Sequence, residues 1–435
     1  MFKFDSRVFY KRHNNEVNKY IFPELNNLHI LSENSSIQDS NDNCKYLYIE
    51  KIESLYKELE NLTTLYDLII ITDLLEEVND MNKFFQIINS RLSDNGKILL
   101  TSINNMWYPF LEILEFFKFK NKSEKRAYTS IKKLKNILSK KDFTLINYNT
   151  RQFFPFKLFL LGNFLNSLLE LLLFKFNLGI KTYFLFQKQS KGLVELSKSI
   201  IVPAKNEEKN LEPLITRIPQ FENVEILIVC GKSEDNTLEE SRRLMNLYPE
   251  LNIRVLEQSG NGKGNAVFEA IKLTKNDLIA ILDADISVDP ENLTDFYMLI
   301  ESGKADFVNG TRFVYRKEKN AMRFFNVLGN KFFQFLVSVV ISRDLTDSLC
   351  GTKVFHKSMR YKIFDWQNRN NVSDPFGDFD LLFTASYCGL NIIEFPVYYR
   401  SRVYGKTQIS RFYDGFRLLY YFFVSIKSFN TSINN

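Results

Sequence analysis

The chain has 435 residues, 45% hydrophobic and 25% charged, which excludes a disordered protein and exceeds what one ordinary core organises, so two domains are expected. Its net charge of +6, without a dense Lys/Arg run, excludes a nucleic-acid tract and leaves phosphorylated ligands or an anionic membrane surface open. Four scattered cysteines (Cys44, Cys230, Cys350, Cys388) and three histidines (His13, His29, His356) have no zinc-binding spacing and read as the reduced thiols and side chains of a cytoplasmic protein.

The start, MFKFDSRVFYKRHNNEVNKY, has charges that interrupt any apolar run and gives no signal peptide. Residues 66–101, YDLIIITDLLEEVNDMNKFFQIINSRLSDNGKILLT, predict a strand, an acidic turn, a helix, an SDNG turn and a strand. FTLINY (143–148) and KTYFLFQK (181–188) predict two more strands. Between them the most apolar stretch, Phe153 to Ile180, is broken by Lys157, Asn163, Asn166, Glu170 and Lys175, so a core or interfacial helix is expected there, not a spanning one. The polar, poorly periodic QKQSKGLVELSKS places the domain boundary, with a first domain at 1–188 and a second at 198–435.

The second domain repeats one pattern. SIIVPAKNEEKNLEPLITRI, VEILIVCGKSEDNTLEESRRL and NIRVLEQSGNGKGNAVFEAIKL each give a strand, a turn and a helix, and DLIAILDAD is the next strand. Such units predict a parallel sheet with helices on both faces and a ligand beyond the carboxyl ends of the strands. The run Leu278 to Leu282 reads as a strand buried on both faces, which puts Asp283 and Asp285 at its carboxyl end. Two carboxylates about 4 Å apart repel by about 4 kcal/mol at an effective dielectric near 20, so the pair calls for a cation or a shared proton. The structural alternative is a solvated pair, or a helix cap at Asp289 before Pro290. SGNGKGN is no P-loop, because Gln258 stands where Gly is required and Gly264 replaces Ser/Thr; DADISVDPENLT is no calcium loop, with Val288 and Thr294 at its key places; and no dinucleotide fingerprint follows the first strand.

The ordered set VPAKNEEKNL, SEDNT, GKGNA, LDAD, NGTR, LCGTKVF, FGDFDLL and FPVYYRSRVYGKT resembles the family-2 glycosyltransferases, most closely the branch of the dolichyl-phosphate mannosyltransferases. The resemblance implies a GT-A fold, a nucleotide-diphosphate sugar donor, and Mg2+ or Mn2+ at Asp283 and Asp285. It implies that Pro203, Ala204, Asn206, Glu207, Asp235 and Asp283 line the nucleotide-sugar pocket, and that Arg312 and Arg402 approach the phosphates. Lys406, on the same loop, is either a further phosphate partner or a solvated charge. Asp378 is the implied acceptor-side carboxylate, as general base or as a positioning group for an ionised acceptor phosphate, with Asp380 as its rival and Asp347 nearby. Two departures stand out: Gly377 replaces the Glu of a Glu-Asp pair, and Cys230-Gly231 replaces two acidic residues.

The first domain resembles the later half of a class I methyltransferase, and the two-domain order resembles a bacterial fusion family. LHILSENSSIQDSN contains no Gly where S-adenosylmethionine needs close backbone approach, and His29 to Asp67 is short for the usual two strand-helix units. A degenerate Rossmann-like scaffold that does not bind S-adenosylmethionine is therefore expected. The acceptor implied for the whole chain is membrane-associated polyprenyl phosphate. Alternatives are a polysaccharide or lipid-linked oligosaccharide hydroxyl, or a non-catalytic assembly role; the intact DAD, NGTR and RVYGKT motifs favour catalysis. MRFFNVLGNKFFQFLVSVVIS, 322–342, spaces Phe324, Phe325, Leu328, Phe332, Phe335, Leu336 and Val339 as a helix that either packs on the core or lies in a membrane interface, and FRLLYYFFVSIKSFN is too short to span. Peripheral attachment to the inner face of the membrane is the expectation.

Overall fold

The computed structural model describes the chain apart from residues 1–5, 33–40, 51, 79, 111–130, 153–168, 170–176, 190–191, 316–323, 342, 373, 403, 405–410 and 431–435. For 6–9, 52–53, 324–326, 411–412, 427 and 430 it describes the backbone alone. Lys406, most of the apolar stretch after Phe153, and residues 33–40 of the Gly-free turn thus lie outside the described residues, as do the side chains of Phe324 and Phe325. The chain forms two units, Met1–Lys191 with Asn430–Asn435, and Gly192–Phe429.

In the first unit, β1 (Asn27–Ser32), β2 (Lys45–Ile49), β3 (Tyr66–Thr72), β4 (Leu92–Ile103), β5 (Phe143–Arg151) and β6 (Lys181–Lys188) form one sheet in the order β2-β1-β3-β4-β6-β5. The first four pair in parallel, and β6 runs antiparallel to both β4 and β5. Helices α1 (Ser6–Asn18), α2 (Ile52–Asn61), α3 (Met81–Ser90) and α4 (Ile131–Ser139) accompany it. Only β2 and α2 separate β1 from β3 among the described residues, which is the shortage visible in the spacing from His29 to Asp67. Asp80 starts α3 by accepting the backbone N–H groups of Asn82 and Lys83, and Phe84, Phe85 and Ile88 turn inward. SDNG is not the turn expected of it. Asn95 takes φ +62° and β4 runs through the motif with a register shift opposite Tyr66 and Leu68, because Asn tolerates the left-handed conformation that such a bulge needs.

The second unit holds β7 (Lys198–Ala204), β8 (Val224–Cys230), β9 (Ile253–Glu257), β10 (Leu278–Ile281), β11 (Phe307–Thr311), β12 (Lys353–His356) and β13 (Ile392–Pro396), ordered β13-β11-β12-β10-β7-β8-β9. Its helices are α5 (Glu208–Arg217), α6 (Thr237–Leu247), α7 (Lys263–Leu273), α8 (Leu293–Glu301), α9 (Phe324–Ile341), α10 (Met359–Asn370), α11 (Asp378–Tyr387) and α12 (Arg411–Asn430). All four residues of β10 are buried, as its unbroken apolar run requires of a strand covered on both faces. Each such Leu or Ile contributes about 1.5–3 kcal/mol, enough to hold the strand in place against the charges that follow it.

The sheet is mixed, not purely parallel. β12 runs antiparallel to β10 and β11, with Ile281 opposite Lys353. After β11 the chain passes through α9 and comes back to the edge it left, so it re-enters the sheet in reverse. Consequently the start of β12 joins the ends of β7, β8, β10 and β11 along one edge.

Two helices keep apolar faces exposed. On α9, Phe333, Val337 and Ile341 are buried, while Leu328, Phe332 and Phe335 are exposed. On α12, Leu418, Tyr421 and Phe422 are buried, while Tyr413, Phe416, Tyr420 and Phe423 are between 62% and 72% exposed. No helix among the described residues is long and apolar enough to cross a membrane.

Candidate active site

The acid pair lies where β10 gives way to a tight turn. Ile286, directly after Asp285, has φ +52°, a conformation that a β-branched residue adopts only under constraint. Asp285 closes the turn by accepting the Ser287 N–H at 3.0 Å. Each carboxylate faces a cation: Lys263 Nζ lies 2.5 Å from Asp283, and Arg402 Nη2 lies 2.5 Å from Asp285. Lys263 begins α7, so the GKGNA motif delivers its ammonium to the end of the neighbouring strand. Burial pushes the Asp283 carboxyl up, but the Lys263 ammonium, with Lys353 and Arg312 beyond, holds it below the ordinary carboxylate range. Gly351 backs this pair. A Cβ there would meet Asp283 Oδ2 and Lys263 Nζ, so only Gly leaves the pair in this arrangement.

Arg402 also lies 3.6 Å from Glu207, whose other oxygen accepts from Asn210 at 2.5 Å. Burial, with Asp285 and Asp283 adding to it, raises the Glu207 carboxyl to about 7 against the pull of Asn210 and Arg402. Pro203 and Ala204 end β7 beside Val229 and Cys230 of β8. Asn206, at φ +56°, ties the two turns together: its N–H donates to Ser233 and its side-chain oxygen accepts from the Glu234 N–H at 2.7 Å. Asp235 serves two helix starts, accepting the N–H of Glu208 at 3.2 Å and of Thr237 at 3.1 Å, together with the Thr237 hydroxyl. Cys230, where two acids were expected to begin, is buried against Ser241.

Arg312 follows β11 and presents its fork to Asp347, with Nε at 2.6 Å and Nη2 at 2.9 Å, while its backbone N–H donates to the same carboxylate. Asp347 is fully buried, and burial that would raise its carboxyl is outweighed by Arg312, which holds it below the usual range. A bidentate, charge-assisted pair of this kind is strong, and Arg312 thus enters the site through Asp347 and the Tyr399 ring beneath it.

Asp378 opens α11 and lies 2.6 Å from the buried Lys353 Nζ, which also donates to the Cys350 carbonyl. Asp380 is fully buried and faces away from Lys353's partner, toward α10 and α12: Gln367 donates to one oxygen at 3.0 Å and the Tyr421 hydroxyl to the other. Asp374 accepts the N–H groups of Phe376, Phe379 and Asp380, so it caps α11.

The edge therefore pairs Asp283 with Lys263, Asp285 and Glu207 with Arg402, Asp378 with Lys353, and Asp347 with Arg312. Asp283 and Asp285 offer hard carboxylate oxygens, a donor set that fits Mg2+ or Mn2+ completing its shell with phosphate and water. No group of three or more His, Cys, Asp or Glu side chains able to hold a metal occurs among the described residues.

Residues 199–364 match the glycosyl transferase family 2 model, and residues 21–148 match a methyltransferase domain model. The chain thus carries a family 2 glycosyltransferase domain behind a methyltransferase-like domain. The glycosyltransferase is 27% identical over 217 residues to a dolichyl-phosphate hexose transferase of Haloferax volcanii, covering 50% of this chain and 88% of that one. It is 30% identical over 166 residues to a dolichol-phosphate mannosyltransferase of Pyrococcus furiosus, covering 37% of this chain and 46%, less than half, of that protein. Among solved structures it is similar to glucosyl-3-phosphoglycerate synthase of Mycobacterium tuberculosis, with a TM-score of 0.40, 15% identity, and coverage of 53% and 78% of the two chains.

Sequence reasoning about the glycosyltransferase passed over four residues that the fold brings to the edge or its support. Lys263 and Gly351 lie inside motifs already quoted, and Lys353 sits two residues past Gly351. The roles of Gly351 and Lys353 depend on the reversal of β12, which no local pattern signals. Asp374 stands before Pro375, and an Asp shortly ahead of a helix was the available signal for a cap.

Proposed function

We propose that the glycosyltransferase unit moves a sugar from a nucleotide-diphosphate donor to polyprenyl phosphate at a membrane surface, with Mg2+ or Mn2+ at Asp283 and Asp285. The observation that carries this reading is the alternation of acids and bases at one sheet edge, where Lys263 and Arg402 each touch one member of the acid pair. When bound, the cation supplies charge neutralisation for the departing nucleotide diphosphate. Asp283 and Asp285 would hold that cation, and Lys263 and Arg402 beside them would offer their N–H donors to the phosphate oxygens. Pro203, Ala204, Asn206, Glu207 and Asp235 hold the nucleoside end, and Arg312 acts on the acceptor side with Asp347. An acceptor phosphate is already ionised and needs no base, so Asp378 with Lys353 positions it.

The Haloferax and Pyrococcus relatives, a dolichyl-phosphate hexose transferase and a dolichol-phosphate mannosyltransferase, support a polyprenyl phosphate acceptor. The exposed stripes on α9 and α12 support peripheral docking on the cytoplasmic face of a membrane, where aromatic rings favour the interface. The test is transfer of labelled sugar from GDP-mannose or UDP-glucose to undecaprenyl phosphate in detergent with Mn2+, alongside Asp285→Asn and flotation with anionic liposomes. Lipid-linked product, lost in Asp285→Asn and in chelator, supports the reading. Equal transfer to a soluble sugar hydroxyl, with no liposome binding at low salt, moves the acceptor to a polysaccharide or oligosaccharide hydroxyl.

A further inference from the structure

Two carboxylates of one motif, Asp378 and Asp380, have opposite surroundings. Asp378 meets Lys353 at the sheet edge, whereas Asp380 is fully buried on the far side of α11. Around Asp380 the donors are arranged without ambiguity. The Tyr421 hydroxyl accepts from Trp366 Nε1 at 3.0 Å and from Asn370 Nδ2 at 3.2 Å, and neither of those groups can accept in return. Its own proton is thereby directed to Asp380 Oδ1, while Gln367 Nε2 donates to Oδ2 at 3.0 Å. Helices α10, α11 and α12 thus meet at a single carboxylate two residues from Asp378. Trp366 and Tyr421 are both within 1% of complete burial, and Phe383 of α11 stacks against the Tyr421 ring at 6.3 Å. Asp374 holds the start of the same helix through three backbone N–H groups.

We infer that Tyr421 and Asp380 are positioning residues: their hydrogen bond locks α11 to α12 and so fixes Asp378 against Lys353 at the reacting edge. This rests on the proposed role of Asp378 in acceptor positioning. Asp380 needs only to present an acceptor oxygen to Tyr421, so its charge is dispensable. An Asn there keeps that oxygen, and Gln367 meets the new amide by turning its own.

The experiment compares full-length wild type, Tyr421→Phe, Asp380→Asn and Asp378→Asn by hydrogen exchange of peptides within 374–387, by Trp366 fluorescence, and by kinetics with GDP-mannose and undecaprenyl phosphate. Tyr421→Phe should speed exchange in α11 about tenfold, the loss of a buried hydrogen bond of ordinary strength, shift Trp366 emission, and lower kcat about tenfold with donor KM within about twofold. Asp380→Asn should keep exchange and kcat within about threefold of wild type, as expected when one oxygen acceptor is retained. If Tyr421→Phe does not fold, Gln367→Leu removes the other donor and should show the same exchange signature. Unchanged α11 exchange in Tyr421→Phe overturns the lock. Asp380→Asn losing turnover as completely as Asp378→Asn, with α11 exchange unaltered, overturns the positioning role and makes Asp380 a group at the reacting atoms. If wild type transfers no sugar from this donor to this acceptor, the proposed function is at fault, and the exchange and fluorescence arms still decide the lock.

Discussion

Arg402 closes on Asp285 at 2.5 Å across 117 positions of sequence, joining the loop after β13 to the turn after β10. The same guanidinium approaches Glu207, so one planar fork spans two acids from two other loops. Lysine offers a single point charge on a longer-ranging stem and cannot span both. Arg402→Lys is expected to raise donor KM by about tenfold, the worth of roughly one charge-assisted hydrogen bond, with the melting temperature little changed. Steady-state kinetics with varied donor check this, and an unchanged KM contradicts it.

Gly351→Ala separates activity from stability. The atoms that a new methyl meets, Asp283 Oδ2 and Lys263 Nζ, are the ends of movable side chains, so the fold accommodates it by pushing both aside. Displacing a reacting group by about 1 Å costs about 100-fold, so kcat should fall by about that factor while thermal unfolding barely shifts. A large loss of stability would mean that backbone, not the acid pair, gives way.

Removing the cation of the buried pair is expected to act on stability instead. Arg312→Met leaves Asp347 fully buried and without its bidentate partner, a loss of about 3–5 kcal/mol. Denaturant unfolding of the second unit reads this directly, and Asp347→Asn added to Arg312→Met should recover part of it.

The pH dependence follows from carboxyls raised by burial: Glu76 to about 7, Asp380 to about 7 and Asp374 to about 6, each raised further by a neighbouring acid. Each binds its proton more tightly when folded, so its contribution is full below the unfolded value near 4 and is lost as pH rises through the folded value. The melting temperature should therefore be several degrees lower at pH 8 than at pH 5, about 3 °C for each 1 kcal/mol lost. Asp380→Asn should flatten the trend for the second unit; a melting temperature that climbs from pH 5 to pH 8 is the contrary result.

For the first unit, calorimetry of the whole chain with S-adenosylmethionine is expected to give no binding heat in the micromolar range. Among the described residues the unit has one strand and one helix between β1 and β3, and the sequence from β1 to β3 contains no Gly to admit a close ligand. A one-to-one isotherm would show that another wall replaces the missing one.

Much of this was legible in the residues because the informative patterns are local. The apolar run before Asp283, the acidic start of α5 and the strand at Lys181–Lys188 follow from periodicity and end signals alone. The reversal of β12 was not legible, since Lys353–His356 has the same apolar character whichever way it runs, and its direction is set by where α9 returns the chain. With it went the partners: Lys353 beside Asp378, and Gly351 behind Asp283, are neighbours only once that strand is inverted. The different surroundings of Asp378 and Asp380 were equally hidden, because two positions of one helix point apart only when packing decides which side faces α12.

The inverted strand also loosens a constraint on chain length. Residues 312–353 leave the sheet and rejoin it on the same edge, as a detour pinned at both feet by Arg312–Asp347 and Lys353–Asp378. A crossover of fixed span would tie its length to the thickness of the domain, but a detour carries no such constraint. It can lengthen, shorten or be exchanged whole while β10, β11 and β12 keep their register. The fold thus leaves the register of the sheet independent of this segment, and a chimera that takes 313–346 from a relative should keep the Asp283–Lys263 and Arg312–Asp347 pairs.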